Sequence, residues 1–431
     1  MKSIRKAVIV DGVRTPFLDS GGAYSQLMTY ELGGKAIAGL VNKTGIDASR
    51  VNMVTMGTVL HEIETSNVAR ESMLSAGLPA TIPAYTTSMA GLSASVGFAN
   101  LCDMIALGRI DVGIAAGVES FSDIPIRYSQ KIRRAAMKVR QDSSAKNILK
   151  NLASLRPADL KPEMPTGTDF TTRKTMGVCA EQMVQKFKVS REDCDAFTVR
   201  SHQLAIEALN KGHFEGTIIP VQVPGFKHPI TLDNTPRKDS NIQKLSTMRT
   251  IFRKEGVITA AGSSRFTDGS AALLVTSLEA ANEMGLQPLA EVVDYQLAAV
   301  KNLEEEMLLG PAVSIPALLA RNKLSMADID VWELHEAFAA QVLVNIACMQ
   351  RSEFAGEYYG GAVPGELPMD KLNTWGGSLS LGNPFAATGI RLLTTAARRL
   401  QVENKRYAVV SSCAGGGLGA AILLENKGAL N

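Results

Sequence analysis

Residues 45–54 read GIDASRVNMV, and residues 323–332 read KLSMADIDVW. Each is a short polar link running into an apolar segment, the pattern of a loop followed by a strand. Outward from the first, Tyr30–Thr44 carries apolar residues at helical spacing and stops at Gly45. Ala7–Val10, between Lys6 and Asp11, reads as a buried strand, and Val51–Met56 as the next one. The Gly/Ser-rich run Ser88–Ser95 then opens a helix of small residues, Val96–Leu107, which ends at Gly108. A strand over Asp111–Ala116 follows and closes on Gly117. Outward from the second stretch the same grammar returns. It shows a helix over Gly389–Leu400, a strand over Tyr407–Ser411 and a glycine cluster, Ala414–Gly419, where Gly117 stood before. The repetition predicts a duplicated α/β unit, with a mainly parallel sheet covered on both faces.

Composition narrows the class. The chain has 431 residues, 45% hydrophobic and 20% charged, which excludes a disordered, collagen-like or disulfide-stapled chain. A net charge of +3 gives no global signal for nucleic acid. Five cysteines form no CxxC pair and no metal-ligand spacing with the five histidines, so free thiols in a reducing compartment and no metal are expected. The absence of 18 consecutive apolar residues and of a signal-type N-terminus predicts a cytoplasmic protein.

Ser122 to about Arg253 breaks the pattern and reads as an inserted loop domain, giving expected domains at 1–121, 122–253 (with room for the N-terminal half to resume near its end) and 254–431. It contains an amphipathic helix, Arg191–Lys211, capped by Ser190. Arg127–Arg156 carries nine Lys/Arg against one acid, Asp142. That stretch is read either as a solvated face or as a basic helix for anionic lipid or a partner subunit.

Small-residue clusters lie beside the predicted strand ends, where α/β sheets build sites. They are Thr86–Ala94 (TTSMAGLSA), His335–Gln341 (HEAFAAQ), Gly382–Gly389 (GNPFAATG) and Cys413–Gly417 (CAGGG). With Val13–Phe17 and Asp268–Ala272, these motifs resemble the thiolase family over essentially the whole chain. Glu119–Arg127 (ESFSDIPIR) and residues 373–382 (NTWGGSLSLG) are most similar to the thiolase subunits of fatty-acid β-oxidation complexes.

The resemblance implies a fold of two βαβαβαββ halves in a five-layered αβαβα core, with the loop domain over the site. It implies coenzyme A and acyl-CoA as ligands and no metal. It also implies a reaction: a cysteine at a helix start attacks a 3-oxoacyl-CoA, a Gly-His-Pro histidine activates it, and a Cys-x-Gly cysteine moves the proton on the acetyl-CoA carbon. Thiolate chemistry and two oxyanion sites make physical sense of that set. Here the nucleophile's position is Gly91, and the Gly-His-Pro position reads Gly382-Asn383-Pro384. The family's Ala-Asn-Ser-Ser appears as Ala261-Gly262-Ser263-Ser264. Cys413 and His335 remain, Gly415 stands at an oxyanion position, and Met176, Ser264 and Phe338 stand where the family lines its pantetheine channel. Glycine cannot be acylated, and an amide takes no proton at neutral pH. The expectation is therefore a scaffold that binds acyl-CoA with thiolysis absent or very slow.

Three alternatives stay open: an active or engineered 3-ketoacyl-CoA thiolase, a non-covalent aldolase-like C–C lyase working with a small zinc-bearing partner, and a regulatory or structural subunit. A homodimer or higher oligomer, buried through the strand and helix around Asp111–Gly117, is expected. So are a hydratase/dehydrogenase-type partner subunit, peripheral membrane contact through 127–156, and no nucleic acid.

Overall fold

The computed structural model describes residues 4–165, 167–360 and 363–430. The N-terminal half supplies strands β1 (Ala7–Arg14), β2 (Met53–Gly57), β3 (Ala84–Thr87), β4 (Val112–Glu119) and β5 (Thr267–Ser277). The C-terminal half supplies β6 (Ala290–Ala299), β7 (Val331–Leu334), β8 (Tyr407–Ala414) and β9 (Leu418–Glu425). Hydrogen bonding orders them β3-β2-β4-β5-β1-β6-β9-β8-β7. Within the sheet the halves join where Val8 and Ile9 pair with Glu291 and Ala290. Leu372 bridges Trp332 in parallel, outside β7, at the place that β3 holds beside β2. Both halves thus lay their strands in the same order, and the duplication is structural.

The two opening stretches behave alike for a physical reason. Helix α1 (Thr29–Thr44) ends on Gly45 at φ 64°, and the second link turns on Lys323 at φ 56°. A single turn of 3-10 helix, Ala48–Arg50 or Met326–Asp328, then delivers the chain to β2 or β7. Gly45 adopts the left-handed turn without the steric penalty a side chain brings.

Five layers follow from where apolar side chains meet. Helices α1 and α2 (Val68–Ser75) cover the outer face of the N-terminal strands. Helix α3 (Ser93–Ala106) fills the space between the halves. The corresponding helix after β7 carries Ile390, Leu392, Leu393 and Ala396 into the same core, packed with Phe98, Leu101 and Ile105. The outer face of the C-terminal strands is covered by Ile315, Leu318 and Leu319 together with Val342 and Val344.

Three expectations need correction. First, β4 is an interior strand, paired on both sides and buried at all eight positions, so Asp111–Gly117 has no free edge for a dimer contact. Second, β5 lies between β4 and β1, so the N-terminal half does resume after the insertion, at Thr267–Ser277 and so inside the range given to the C-terminal half. Third, the insertion is not a separate body. Its helices α4 (Gln130–Gln141) and α5 (Ala145–Ala153) are exposed, and no residue of α4 is buried. Helices α6 (Met176–Phe187) and α7 (Arg191–Asn210), however, put Cys179, Met183, Phe187 and Phe197 into the C-terminal core. Ser190 caps α7 by accepting from Asp193 N at 3.0 Å, as expected. The helix is not a surface amphipath: consecutive Phe197, Thr198 and Val199 are all buried. The longer helices of the C-terminal half are α8 (Gly310–Arg321), α9 (Ala339–Met349) and α10 (Phe385–Val402).

Candidate functional site

Gly91 lies two residues before α3, whose first-turn N–H groups lack intrahelical partners. Preceding Ala90 is held at φ 48°, a conformation a non-glycine residue adopts only when its surroundings over-determine it. Here the Ser93 hydroxyl does so, accepting from Met89 N at 2.8 Å and donating to Ala90 O at 2.6 Å. A Cβ built on Gly91 would lie 3.7 Å from Cys413 O and 3.9 Å from Ala414 Cβ, which is ordinary contact with room beyond.

Cys413 sits near the end of β8, opposite Gly419 of β9. Burial pushes its thiol up to about 12, so it is neutral at physiological pH. Gly415 begins the turn between these strands, and a Cβ there would lie 3.6 Å from Met176 Sδ at the start of α6. Gly416 and Gly417, at φ 83° and 71°, make the turn itself.

His335 follows β7, and its N–H donates to Ser411 O of β8 at 2.8 Å. Its Nδ1 lies 2.8 Å from Ser378 Oγ, which accepts from Arg391 Nη2 of α10 at 2.8 Å. Burial, with the Arg391 charge adding to it, lowers the His335 pKa to about 3, so the ring is neutral. Beneath it, the buried Glu336 carboxylate accepts from Asn373 Nδ2 (2.7 Å), Ser201 Oγ (2.8 Å) and Leu379 N (3.1 Å). Those bonds tie the 373–379 loop and α7 to the His335 backbone.

Asn383, just before α10, is buried, and both ends of its amide are engaged. Nδ2 donates to Ser264 Oγ at 3.0 Å, and Oδ1 accepts from Thr388 Oγ1 at 2.9 Å. Ser264 N donates to Ala337 O at 2.9 Å, which ties this segment to the His335 loop. Phe338 stands edge-on to Phe252, with ring centroids 5.8 Å apart. These contacts form two groups, Gly91 with Cys413 and Gly415 with Met176 in one, and Asn383 with Ser264 and the His335–Phe338 loop in the other, with the His335 backbone bonded to β8, the strand that carries Cys413. Cys102, Cys179, Cys194 and Cys348 are buried elsewhere, in α3, α6, α7 and α9. No cluster of three or more metal-ligating side chains occurs among the described residues.

Beside Asn383 a cavity of about 310 Å³ opens, walled by Arg237, Lys244 and Arg265 and by apolar Ala260, Ala261 and Leu379. His202 lies in its wall, accepting from Arg237 N through Nδ1 at 3.1 Å, and burial lowers its pKa to about 4. The sequence reading missed this wall, and it missed Ser378 and Arg391. Arg391 did leave a signal: it is a lone cation in the apolar run Ile390–Leu393.

The thiolase N-terminal domain family matches residues 7–279, and the thiolase C-terminal domain family matches residues 286–426. The chain is 41% identical over 424 residues to the mitochondrial trifunctional enzyme subunit beta of Bos taurus, covering 98% of this chain and 89% of that protein. It is 37% identical to the 3-ketoacyl-CoA thiolase of Serratia proteamaculans (strain 568), covering 97% of each. Among solved structures, Bacillus anthracis acetyl-CoA acetyltransferase superposes with a TM-score of 0.84 at 29% identity, over 99% of this chain and 100% of that one. Human mitochondrial 3-ketoacyl-CoA thiolase superposes with a TM-score of 0.81 at 26% identity, over 98% and 99%. With two halves laid out in the same strand order, both matched in sequence and superposed along their length, this chain belongs to the thiolase family.

Proposed function

We propose that this chain binds acyl-CoA thioesters in a β-oxidation-type thiolase cleft without forming an acyl-enzyme, so that thiolysis is absent or very slow. Gly91 takes the position of the nucleophilic cysteine and Asn383 that of the activating histidine. The observation that carries this reading is that a side chain at Gly91 would meet only ordinary van der Waals contacts, yet the chain supplies none there. The backbone there accepts a side chain, and no other cysteine of the chain reaches the place except Cys413, whose burial keeps it a thiol. Asn383 supports it, because an amide engaged with Ser264 and Thr388 holds neighbours in place and takes up no proton.

The cavity beside Asn383 supports the ligand. Its lining holds Arg237, Lys244 and Arg265 against one carboxylate, Asp239, which pairs with Lys244, and the cationic excess suits phosphates while the apolar walls suit an adenine or a pantetheine arm. Met176, Ser264 and Phe338 then line the pantetheine path, and backbone N–H groups near Gly91 and Gly415 face the thioester oxygen. Cys413 is left as the proton carrier for slow exchange at the acyl α-carbon. The exposed basic helices α4 and α5 are assigned to a partner subunit or an anionic lipid surface, where their seven cations find counter-charge. The test is calorimetric titration with acetyl-CoA and CoA beside a thiolysis assay of the wild type and of the Gly91→Cys/Asn383→His double variant. Binding without turnover in the wild type, and turnover gained by the double variant, is expected. Wild-type turnover at rates ordinary for enzymes, on the order of 1–10³ s⁻¹, contradicts it.

A further inference from the structure

Ser378 Oγ stands between two nitrogens, Arg391 Nη2 and His335 Nδ1, each at 2.8 Å. A guanidinium has only donors, so the serine oxygen accepts from Arg391. The serine has one proton to give, and His335 Nδ1 is the partner left for it among the described residues. Nδ1 then accepts, and in a neutral imidazole the remaining proton sits on Nε2. His335 Nε2 makes no hydrogen bond to any described residue, and the residue as a whole is 8% exposed.

Arg391 is placed at unusual expense. It is 1% exposed, and its Nε and Nη1 find no hydrogen-bond partner. Among the described residues its one ion-pair contact is Glu333, 3.9 Å away, which gives its shorter contact of 2.8 Å to Arg399, while Glu336 and Asp233 act on it from farther off. Burying a guanidinium this sparsely bonded is costly, so the arrangement calls for a role beyond packing.

We propose that Arg391 and Ser378 are positioning residues that fix His335 as its Nε2–H tautomer. His335 thereby presents a hydrogen-bond donor, and not a base, to an oxygen of a bound acyl-CoA thioester. The ligand part of this inference rests on the function proposed above; the tautomer part does not. It gives the site a side-chain donor of fixed direction where negative charge develops on the thioester or its enolate, with no proton changing hands. It also divides the labour, leaving α-proton movement to Cys413.

The experiment is long-range ¹H–¹⁵N spectroscopy on ¹⁵N-histidine-labelled full-length protein at pH 7, with His335 assigned by its loss in His335→Gln. In the free wild type the expected pattern is a protonated Nε2 and an unprotonated, hydrogen-bonded Nδ1. Ser378→Ala moves Nδ1 to the position of a free unprotonated nitrogen. Arg391→Met, which frees the serine to accept, moves it toward the protonated position. A protonated Nδ1 in the wild type overturns the proposal even if neither variant folds, and so does an Nδ1 resonance that both folded variants leave in place. Acetyl-CoA is then titrated into the wild type. A shift of His335 Nε2 on binding supports the donor role, and binding that leaves Nε2 unmoved overturns it. Absence of any binding overturns the acyl-CoA reading, while the tautomer stands or falls on the free protein.

Discussion

Glycine positions in this chain divide by what surrounds them. A side chain at Gly91 meets ordinary contacts, whereas a Cβ on Gly117 would come within 2.5 Å of Ala386 O and 2.8 Å of Ala387 Cα, both backbone. Gly91→Cys is therefore expected to leave the urea midpoint nearly unchanged, and Gly117→Ala to cost about 1–3 kcal/mol, as overpacking does; equal midpoints for the two variants would contradict this. His202 gives a pH test. Folded, it stays neutral down to about pH 4; unfolded, it takes a proton below about 6.5. The unfolded state therefore binds more protons across that window, and stability falls as pH drops through it. The wild type's stability relative to His202→Gln should shrink by about 1–3 kcal/mol between pH 7 and 4.5, read from urea curves; parallel curves would refute it. Cys413→Ala is expected to abolish deuterium uptake at C2 of acetyl-CoA. At this scale Gly91, His335, Asn383 and Cys413 were legible because short motifs name them. Ser378 was quoted only as part of a motif, since its place between Arg391 and His335 is a property of three distant segments meeting.

The start of α10 is the element on which the site hangs. Glu119, fully buried, accepts from Leu60 N at 2.8 Å, Val59 N at 3.1 Å and Ala386 N at 3.4 Å, next to Pro384 and Asn383. Burial pushes its pKa up to about 7, and the N–H groups that it accepts from oppose that rise. Glu119→Ala strands those donors in the interior and is expected to destabilise the protein by about 3 kcal/mol, seen as a lowered urea midpoint. At the opposite extreme, α4 and α5 expose Met137, Leu149 and Leu152 beside their cations. Flotation with anionic vesicles is expected to carry the protein up and to weaken with salt; equal recovery with neutral vesicles counts against a lipid role. Helix spacing and the Ser190 cap announced α7, whereas 127–156 stood out in the sequence by its charge. Only packing distinguishes α7, buried on several sides by α6, α9 and the 373–379 loop, from the two that stay in solvent.

Across the whole molecule, the duplication was readable because each half repeats the sequence of link, strand and helix that its sheet requires. The GIDASRVNMV and KLSMADIDVW stretches fold through the same left-handed turn and 3-10 turn. What could not be read was which strand fills the middle of the sheet. β5 is separated from β4 by about 150 residues of insertion, and only its pairing shows that β4 has no free edge. That long-range pairing also places α6 and α7 over the cleft and makes the insertion part of the core. The central claim is that this cleft holds a thioester and forms no covalent bond to it. Intact-protein mass spectrometry after incubation with acetoacetyl-CoA tests it most directly, with Gly91→Cys/Asn383→His treated in parallel. The account predicts an unmodified wild-type mass and an acetyl adduct on the double variant; a stoichiometric acetyl adduct on the wild type would contradict it.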